Sequence, residues 1–131
     1  MRTWFLGPGA GQPISAFGSQ GVMLAPVLRS EGLHVVAMDF RPGGFVARHP
    51  AADVQILLVV DGSGMVTGGI PSFSVPVEAG SVVLWDRGED HETRAGPAGL
   101  RVLVLEGPAL RGYKDTFPTP GRGGAAGDGE D

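Results

Sequence analysis

The chain has 131 residues, a formal net charge of −4 and no cysteine, which excludes disulfides, cysteine-based zinc sites and thiol nucleophiles. Lys and Arg are nowhere concentrated, which argues against nucleic acid and anionic membranes as partners. Hydrophobic residues make up 42% and charged residues 18%, a balance typical of one soluble globular domain. The first apolar run is too short for a signal peptide, so we expect a cytoplasmic protein.

The 23 glycines and 11 prolines mostly recur between short apolar runs, the pattern of an all-β protein with many turns. Residues 1–20 are predicted to form an irregular arm, because glycine and proline interrupt any period. The domain is expected at 21–112. Residues 113–131 are predicted to be a disordered tail, since no large apolar side chain occurs from Pro118 onward.

The apolar runs of the domain predict about eight short strands. Pro26 makes the run at 22–28 an edge strand, since proline donates no ladder hydrogen bond. Further strands are predicted at 33–40, 54–60, 65–69, 72–77, 79–85, 91–94 and 100–106. With no long helical stripe, this spacing indicates a jelly-roll barrel. An immunoglobulin-type sandwich is the alternative, but its Cys-Trp-Cys pattern is missing.

The strand at 54–60 is apolar at nearly every position. Both of its faces must therefore be covered, one by the barrel interior and the other by a further layer or subunit. In so short a chain, this favours a homodimer that covers one outer sheet.

Two glycine-anchored motifs, one running from Gly44 through His49 to Gly62 and the other from Gly80 through His91 to Ala95, make the chain resemble the cupin superfamily. This family consists of jelly-roll barrels, also called double-stranded β-helices. The family's Gly, His-x-His, Glu, Gly register falls on Gly44, His49, Ala51, Gln55 and Gly62. Its Gly, Pro-x-Gly, His, Asn register falls on Gly80, Asp86, Gly88, His91 and Ala95. The resemblance covers residues 33–106 and implies a small single-domain cupin with degenerate metal-ligand motifs.

The resemblance implies a site inside the barrel, where the family commonly holds a divalent metal with three His and one Glu. Here Ala51 replaces one His and Gln55 replaces the Glu. The predicted metal ligands are therefore His49, Gln55 and His91, all uncharged. Zn, Fe, Mn and Ni are usually held with an anionic ligand, so we expect one such metal to be loosely bound or absent.

Two carboxylates could replace the missing anion. Asp53 shares the strand parity of Gln55, unless Pro50 turns this segment into a loop. Glu89 precedes His91 by two residues, in a predicted turn. Neither position makes a strong ligand on sequence grounds.

Several side chains near the motifs are candidates for a ligand pocket. These are Met38, Phe40, Phe45 and Trp85, with simple core packing as the alternative. His34 is in phase with Met38, but we expect it to be solvated or internally hydrogen-bonded.

Three functions remain open. The first, which we carry forward, is small-molecule binding in a polar cavity built from His49, Gln55 and His91, whose imidazoles bond a ligand carbonyl or carboxylate. The second is a metal-dependent isomerase, lyase or dioxygenase using the same residues. The third is a non-catalytic oligomerisation barrel. No phosphate loop or nucleophile elbow occurs, so no catalytic residue is assigned.

Overall fold

The computed structural model of the chain describes residues 1–7 and 9–116, with side chains described up to residue 112. Seven strands and two short 3-10 helices form in this part of the chain: β1 (Gln12–Pro13), η1 (Ala16–Gly18), β2 (Gln20–Arg29), β3 (His34–Pro50), β4 (Gln55–Gly68), β5 (Phe73–Glu78), β6 (Val82–Trp85), β7 (Asp90–Glu106) and η2 (Pro108–Thr116). The predicted all-β fold is confirmed. From residue 117 onward, the predicted tail lies outside the described residues. Neither of these helices has the length and apolarity needed to cross a membrane.

Three long strands, β3, β4 and β7, bend so that each contributes to two layers. Sheet I pairs β2, residues 34–40 of β3, residues 100–106 of β7, residues 55–62 of β4 and β6, in that order. Sheet II pairs residues 45–50 of β3, 90–95 of β7, 64–68 of β4 and β5. All of these pairings are antiparallel, and the two facing layers make a jelly roll.

The bends occur where glycines allow one backbone to approach another. Gly62 in β4 has a φ of +83°, and a Cβ there would lie 2.2 Å from the carbonyl oxygen of Gly99. A Cβ on Gly44 in β3 would lie 2.6 Å from the carbonyl oxygen of Gly21. A larger residue would clash at either place. Two motif glycines are thus the points where strands cross between the sheets.

Alternate residues of the bent strands fill the space between the sheets. Leu57 and Val59 of β4 and Val102 of β7 are each at most 4% exposed, and each such side chain stabilises the fold by about 1.5–3 kcal/mol. The intervening residues Leu58 and Val60 point outward and remain exposed. The strand predicted to be apolar on both faces is therefore covered on its inner face, while its outer face is open to solvent in the single chain.

The described segments before and after the barrel strands are both attached to the barrel. The predicted irregular arm contains η1 and also β1, which pairs with β2. Arg101 on the outer face of sheet I donates to the backbone carbonyl of Leu6 and forms an ion pair with Asp39 at 3.1 Å. At the other end, Arg111 of η2 binds Asp53 in the β3–β4 connection. Polar contacts thus hold the N-terminal arm and η2.

Candidate functional site

A cavity of about 410 Å³ lies between the two sheets. Aliphatic and aromatic side chains from four strands form most of its wall, including Leu24, Val36, Met38, Phe40, Leu57 and Val104. Its polar side chains are Ser19, His34, His49, Gln55, His91, Thr93 and Glu106. No Lys or Arg lies among the described lining residues.

The two motif histidines face each other on neighbouring strands. His49 of β3 and His91 of β7 are direct cross-strand partners, and their ring centroids lie 4.4 Å apart with 52° between the ring planes. Both rings line the cavity. The antiparallel ladder thus brings together two imidazoles that are 42 positions apart in the sequence.

Backbone carbonyls fix the tautomer of both rings. Nδ1 of His49 lies 2.8 Å from the carbonyl oxygen of Ala47, and Nδ1 of His91 lies 3.2 Å from that of Glu89. Because a carbonyl oxygen only accepts, the proton is on Nδ1 in each ring. In its neutral form each ring therefore keeps a lone pair on Nε2, and neither Nε2 has a hydrogen-bond partner in the described part of the chain.

His91 is the more deeply buried of the two. Its residue is 3% exposed, and the Trp85 ring packs 4.5 Å from the imidazole. Burial lowers the pKa of His91, and the nearby His49 lowers it further, although the bond to the Glu89 carbonyl and the charge of Glu106 act in the opposite direction. His91 is therefore a neutral imidazole at neutral pH.

Phe17 of η1 covers the outer side of His49. The two rings are stacked, with centroids 4.4 Å apart and 5° between their planes. Phe17 has a φ of +58°, a left-handed conformation that is unfavourable for a bulky residue. The ring is still 65% exposed, so it forms part of the rim of the cavity.

Gln55 at the start of β4 is oriented by a carboxylate. Its Nε2 donates to Oε2 of Glu106, its cross-strand partner on β7, at 3.1 Å. Since a carboxylate accepts, the amide nitrogen faces Glu106 and the amide oxygen remains available. Gln55 itself is 8% exposed.

Sequence reasoning missed Glu106, although a signal for it existed. Leu100, Val102 and Val104 share one face of the predicted last strand, and Glu106 continues that alternation. The structure places it on the cavity beside Gln55. The cavity therefore contains a carboxylate at a position outside both motifs.

The two carboxylates considered as substitute metal ligands are engaged elsewhere. Asp53 accepts hydrogen bonds from Arg111, from Nε at 3.0 Å and from Nη2 at 2.6 Å. The guanidinium of Arg111 lowers the pKa of Asp53. The two oxygens of Glu89 accept from the backbone N–H groups of Gly69 and Asp86 at 2.7 and 2.8 Å. Asp53 thus attaches η2 to the barrel, and Glu89 organises a turn.

The predicted pocket residues lie in different places. Met38 and Phe40 line the cavity, as does His34, which stands exposed at the start of β3. Trp85 lies behind His91 and is not a lining residue.

Phe45 was predicted to line the pocket but is not among the residues that line the cavity. The Arg94 guanidinium lies 4.3 Å above its ring, and the neighbouring Val46 lines the cavity instead. The pairing register between β3 and β7 shifts between Phe40 and Phe45. Because side chains alternate along a strand, this shift determines that Val46 and not Phe45 faces inward.

Solved structures with the same architecture identify the fold. A cupin-like protein from Thermotoga maritima matches with a TM-score of 0.68 at 21% identity, over 75% of this chain and 77% of that one. An RmlC-like cupin from Shewanella frigidimarina matches with a TM-score of 0.62 at 20% identity, over 71% of this chain and 81% of that one. This chain has the cupin fold.

A predicted oxalate decarboxylase from Thermotoga maritima has this cupin fold as well. Its TM-score is 0.63 at 25% identity, over 70% of this chain and 84% of that one. No protein-family model and no curated protein matches the sequence. The likeness extends the motif resemblance seen in the sequence to the whole barrel and does not identify a ligand or reaction.

The donor set of this cupin barrel fits a tightly held transition metal poorly. In residues 1–7 and 9–116, no three His, Cys, Asp or Glu side chains are placed to hold one ion. Ala51, at the second His position of the first motif, is 3% exposed and offers no ligand atom. His49 and His91 keep free Nε2 atoms, but Gln55 is uncharged and is bound to Glu106. The anion that usually offsets the charge of the metal is not among the predicted ligands.

Proposed function

We propose that this chain is a small-molecule-binding cupin whose ligand lies in the barrel cavity against His49, Gln55 and His91. The facing pair of imidazoles with free Nε2 atoms carries this proposal. A volume of about 410 Å³ is within the usual range of small-molecule sites. An aliphatic wall with a few convergent polar groups is also typical of such sites.

Preorganisation supports the same proposal. The rings of His49 and His91 are held by backbone carbonyls, and the amide of Gln55 is held by Glu106. Polar groups with fixed orientation lose little freedom when a ligand binds, which favours affinity. The buried hydroxyl of Thr93, 4% exposed, adds a further group on the cavity wall.

Metal-dependent catalysis is the second candidate, because two free imidazole nitrogens are a minimal ligand pair. In that case His49, His91 and Gln55 would hold the ion, with a carboxylate of the substrate as the missing anion. The neutral donor set makes us rank it below simple ligand binding.

Elemental analysis and a melting screen separate the two candidates. In protein purified without chelator or nickel resin, we expect far less than one metal per chain and a rise in melting temperature with a ligand. At 100-fold excess over Kd, binding stabilises the fold by about 2.7 kcal/mol. His49→Ala and Gln55→Ala should abolish this rise, while Gln12→Ala, an exposed glutamine on β1, should keep it. One metal per chain that is lost in His49→Ala would favour the enzyme.

We also propose a homodimer through the outer patch of sheet I. Leu58 lies opposite Val82 on one side and Leu103 on the other. The whole patch consists of the exposed Leu58, Val60, Val82 and Leu84 and the half-buried Ile56, Leu103 and Leu105. A contiguous apolar surface on a single chain is typical of an interface.

A second copy is the partner that this patch fits. Its side chains carry no charge, and the bordering Arg101 is neutralised by Asp39, so two patches related by a two-fold axis do not repel each other. Sedimentation equilibrium should give a dimer for the native chain and a monomer for Val60→Lys. Met65→Lys, at a comparably exposed position on sheet II, is the control. A native monomer, or equal dissociation in both variants, would refute the proposal.

A further inference from the structure

The polar atoms left free in the cavity are mainly acceptors, beside the hydroxyls of Ser19 and Thr93, which can also donate, and the ring of His34. His49 and His91 each present an Nε2 lone pair, and Gln55 presents its amide oxygen. Glu106 presents a carboxylate in which Oε2 receives a single hydrogen bond, from Gln55. Complementary ligand groups are therefore hydrogen-bond donors.

The charge of the cavity points in the same direction. Glu106 has no ion-pair partner among the described residues, and no described lining residue is Lys or Arg. His34 lies directly across the ladder from Glu106 but is not in ion-pair contact with it. A half-buried carboxylate without a cation favours a positively charged ligand and disfavours an anion.

These polar groups gather at one end of the barrel. Only residues 51–54 separate the end of β3, with His49, from the start of β4, with Gln55. Glu106 closes β7 beside Gln55. Beyond this end, Met38, Phe40 and Leu57 continue the cavity as an apolar wall. A fitting ligand thus has a donating head group and an apolar body.

We infer that the cavity binds an organic amine, whose ammonium group donates to Glu106 and the free acceptors while its hydrocarbon body lies against the apolar wall. This inference rests on the proposed function and narrows it. A carboxylate ligand would bring a like charge beside Glu106 and further acceptors to a wall whose free polar atoms are mainly acceptors. The carbonyl or carboxylate anticipated from the histidines alone is therefore disfavoured.

Three probes of one shape test this inference. Cyclohexylamine, cyclohexanol and cyclohexanecarboxylate differ mainly in their polar group, and each is titrated calorimetrically into the full chain at pH 7. We expect binding of the amine and much weaker binding of the carboxylate. Glu106→Gln should weaken amine binding roughly ten- to a hundredfold, the effect of losing one charged hydrogen bond. The same variant should also reduce the ratio of the affinity for the amine to the affinity for the carboxylate.

Glu92→Gln is the matched control, since Glu92 is a half-buried β7 carboxylate that pairs with Arg94 and does not line the cavity. It should leave amine binding unchanged. Preferential binding of the alcohol or the carboxylate would overturn the amine inference and leave the proposed function standing. Amine binding that Glu106→Gln does not weaken would overturn it as well. Binding of none of the probes, with no change in the NMR signals of His49 and His91, would count against the proposed function itself.

Discussion

The left-handed backbone of Phe17 leads to a prediction about stability. A bulky residue with a φ of +58° costs about 1–2 kcal/mol relative to an ordinary conformation. The ring stacked on His49 returns about 0.5–1.5 kcal/mol. Contact with the histidine therefore compensates a conformation that the local sequence alone would not choose.

Replacing Phe17 with Ala or with Gly separates these two contributions. Phe17→Ala loses the ring but keeps the strain, so we expect a loss of about 0.5–1.5 kcal/mol. Phe17→Gly also loses the ring, but it relieves the backbone strain, which stabilises the fold by about 1–2 kcal/mol relative to alanine. Glycine has more conformational freedom in the unfolded chain, which destabilises the fold by about 0.5–1 kcal/mol. Glycine should therefore give the more stable variant, by up to about 1.5 kcal/mol, the reverse of its usual ranking below alanine.

Urea unfolding monitored by tryptophan fluorescence measures the order of these variants. The control is Ala16→Gly in the same 3-10 turn, where φ is not positive, so glycine should lower stability by about 0.5–1 kcal/mol. If Phe17→Ala proves as stable as Phe17→Gly, or more so, the residue is not held in a left-handed conformation. The account of Phe17 as a strained cover over His49 would then fail.

Three further predictions concern the scaffold. Asp53→Asn should lower the melting temperature at pH 7, because it removes the carboxylate that pairs with Arg111. Arg111 lowers the pKa of Asp53 from 3.8, so the native ion pair loses its stabilising effect as the pH falls through the folded pKa. The difference in melting temperature between the two proteins should therefore shrink below about pH 4. Gly62→Ala should cost at least about 2 kcal/mol in urea unfolding, since its Cβ would meet the Gly99 carbonyl oxygen; a smaller loss would show that the bend can shift. Glu89→Ala should cost about 1–3 kcal/mol by leaving two backbone N–H groups without their acceptor, and an unchanged midpoint would contradict this role.

The sequence was informative where a local pattern determines the structure. Alternation in the strand at 100–106 put Leu100, Val102 and Val104 on one face, which the structure buries. The motif register put His91 at the start of a predicted strand, whereas the half of β3 that carries His49 was not predicted as a strand. The long bent strands were harder to predict, because the glycine-rich segments at their bends resemble the turns that separate two strands. The sequence predicts separate strands at 91–94 and 100–106, yet β7 continues through residues 95–99.

The parts of the site that were missed depend on contacts between distant positions. Glu106 meets Gln55 across 51 residues, and Arg111 meets Asp53 across 58. Phe17 reaches His49 only because its backbone enters the left-handed region, which no residue preference predicts for phenylalanine. Local periodicity shows the face on which a side chain lies, but the partner that it meets there depends on the completed barrel.

The loss of motif ligands and the persistence of the site have one physical explanation. Even in a metal centre, a histidine ligand is oriented by the hydrogen bond that its second ring nitrogen donates to a carbonyl, a carboxylate or water. Here each histidine donates from Nδ1 to the carbonyl two residues before it, His49 to Ala47 and His91 to Glu89. These bonds need only the local backbone of two paired strands. The imidazoles can therefore stay aligned without a metal, and a barrel with Ala51 and Gln55 at two of the motif positions still presents two ordered rings to its cavity.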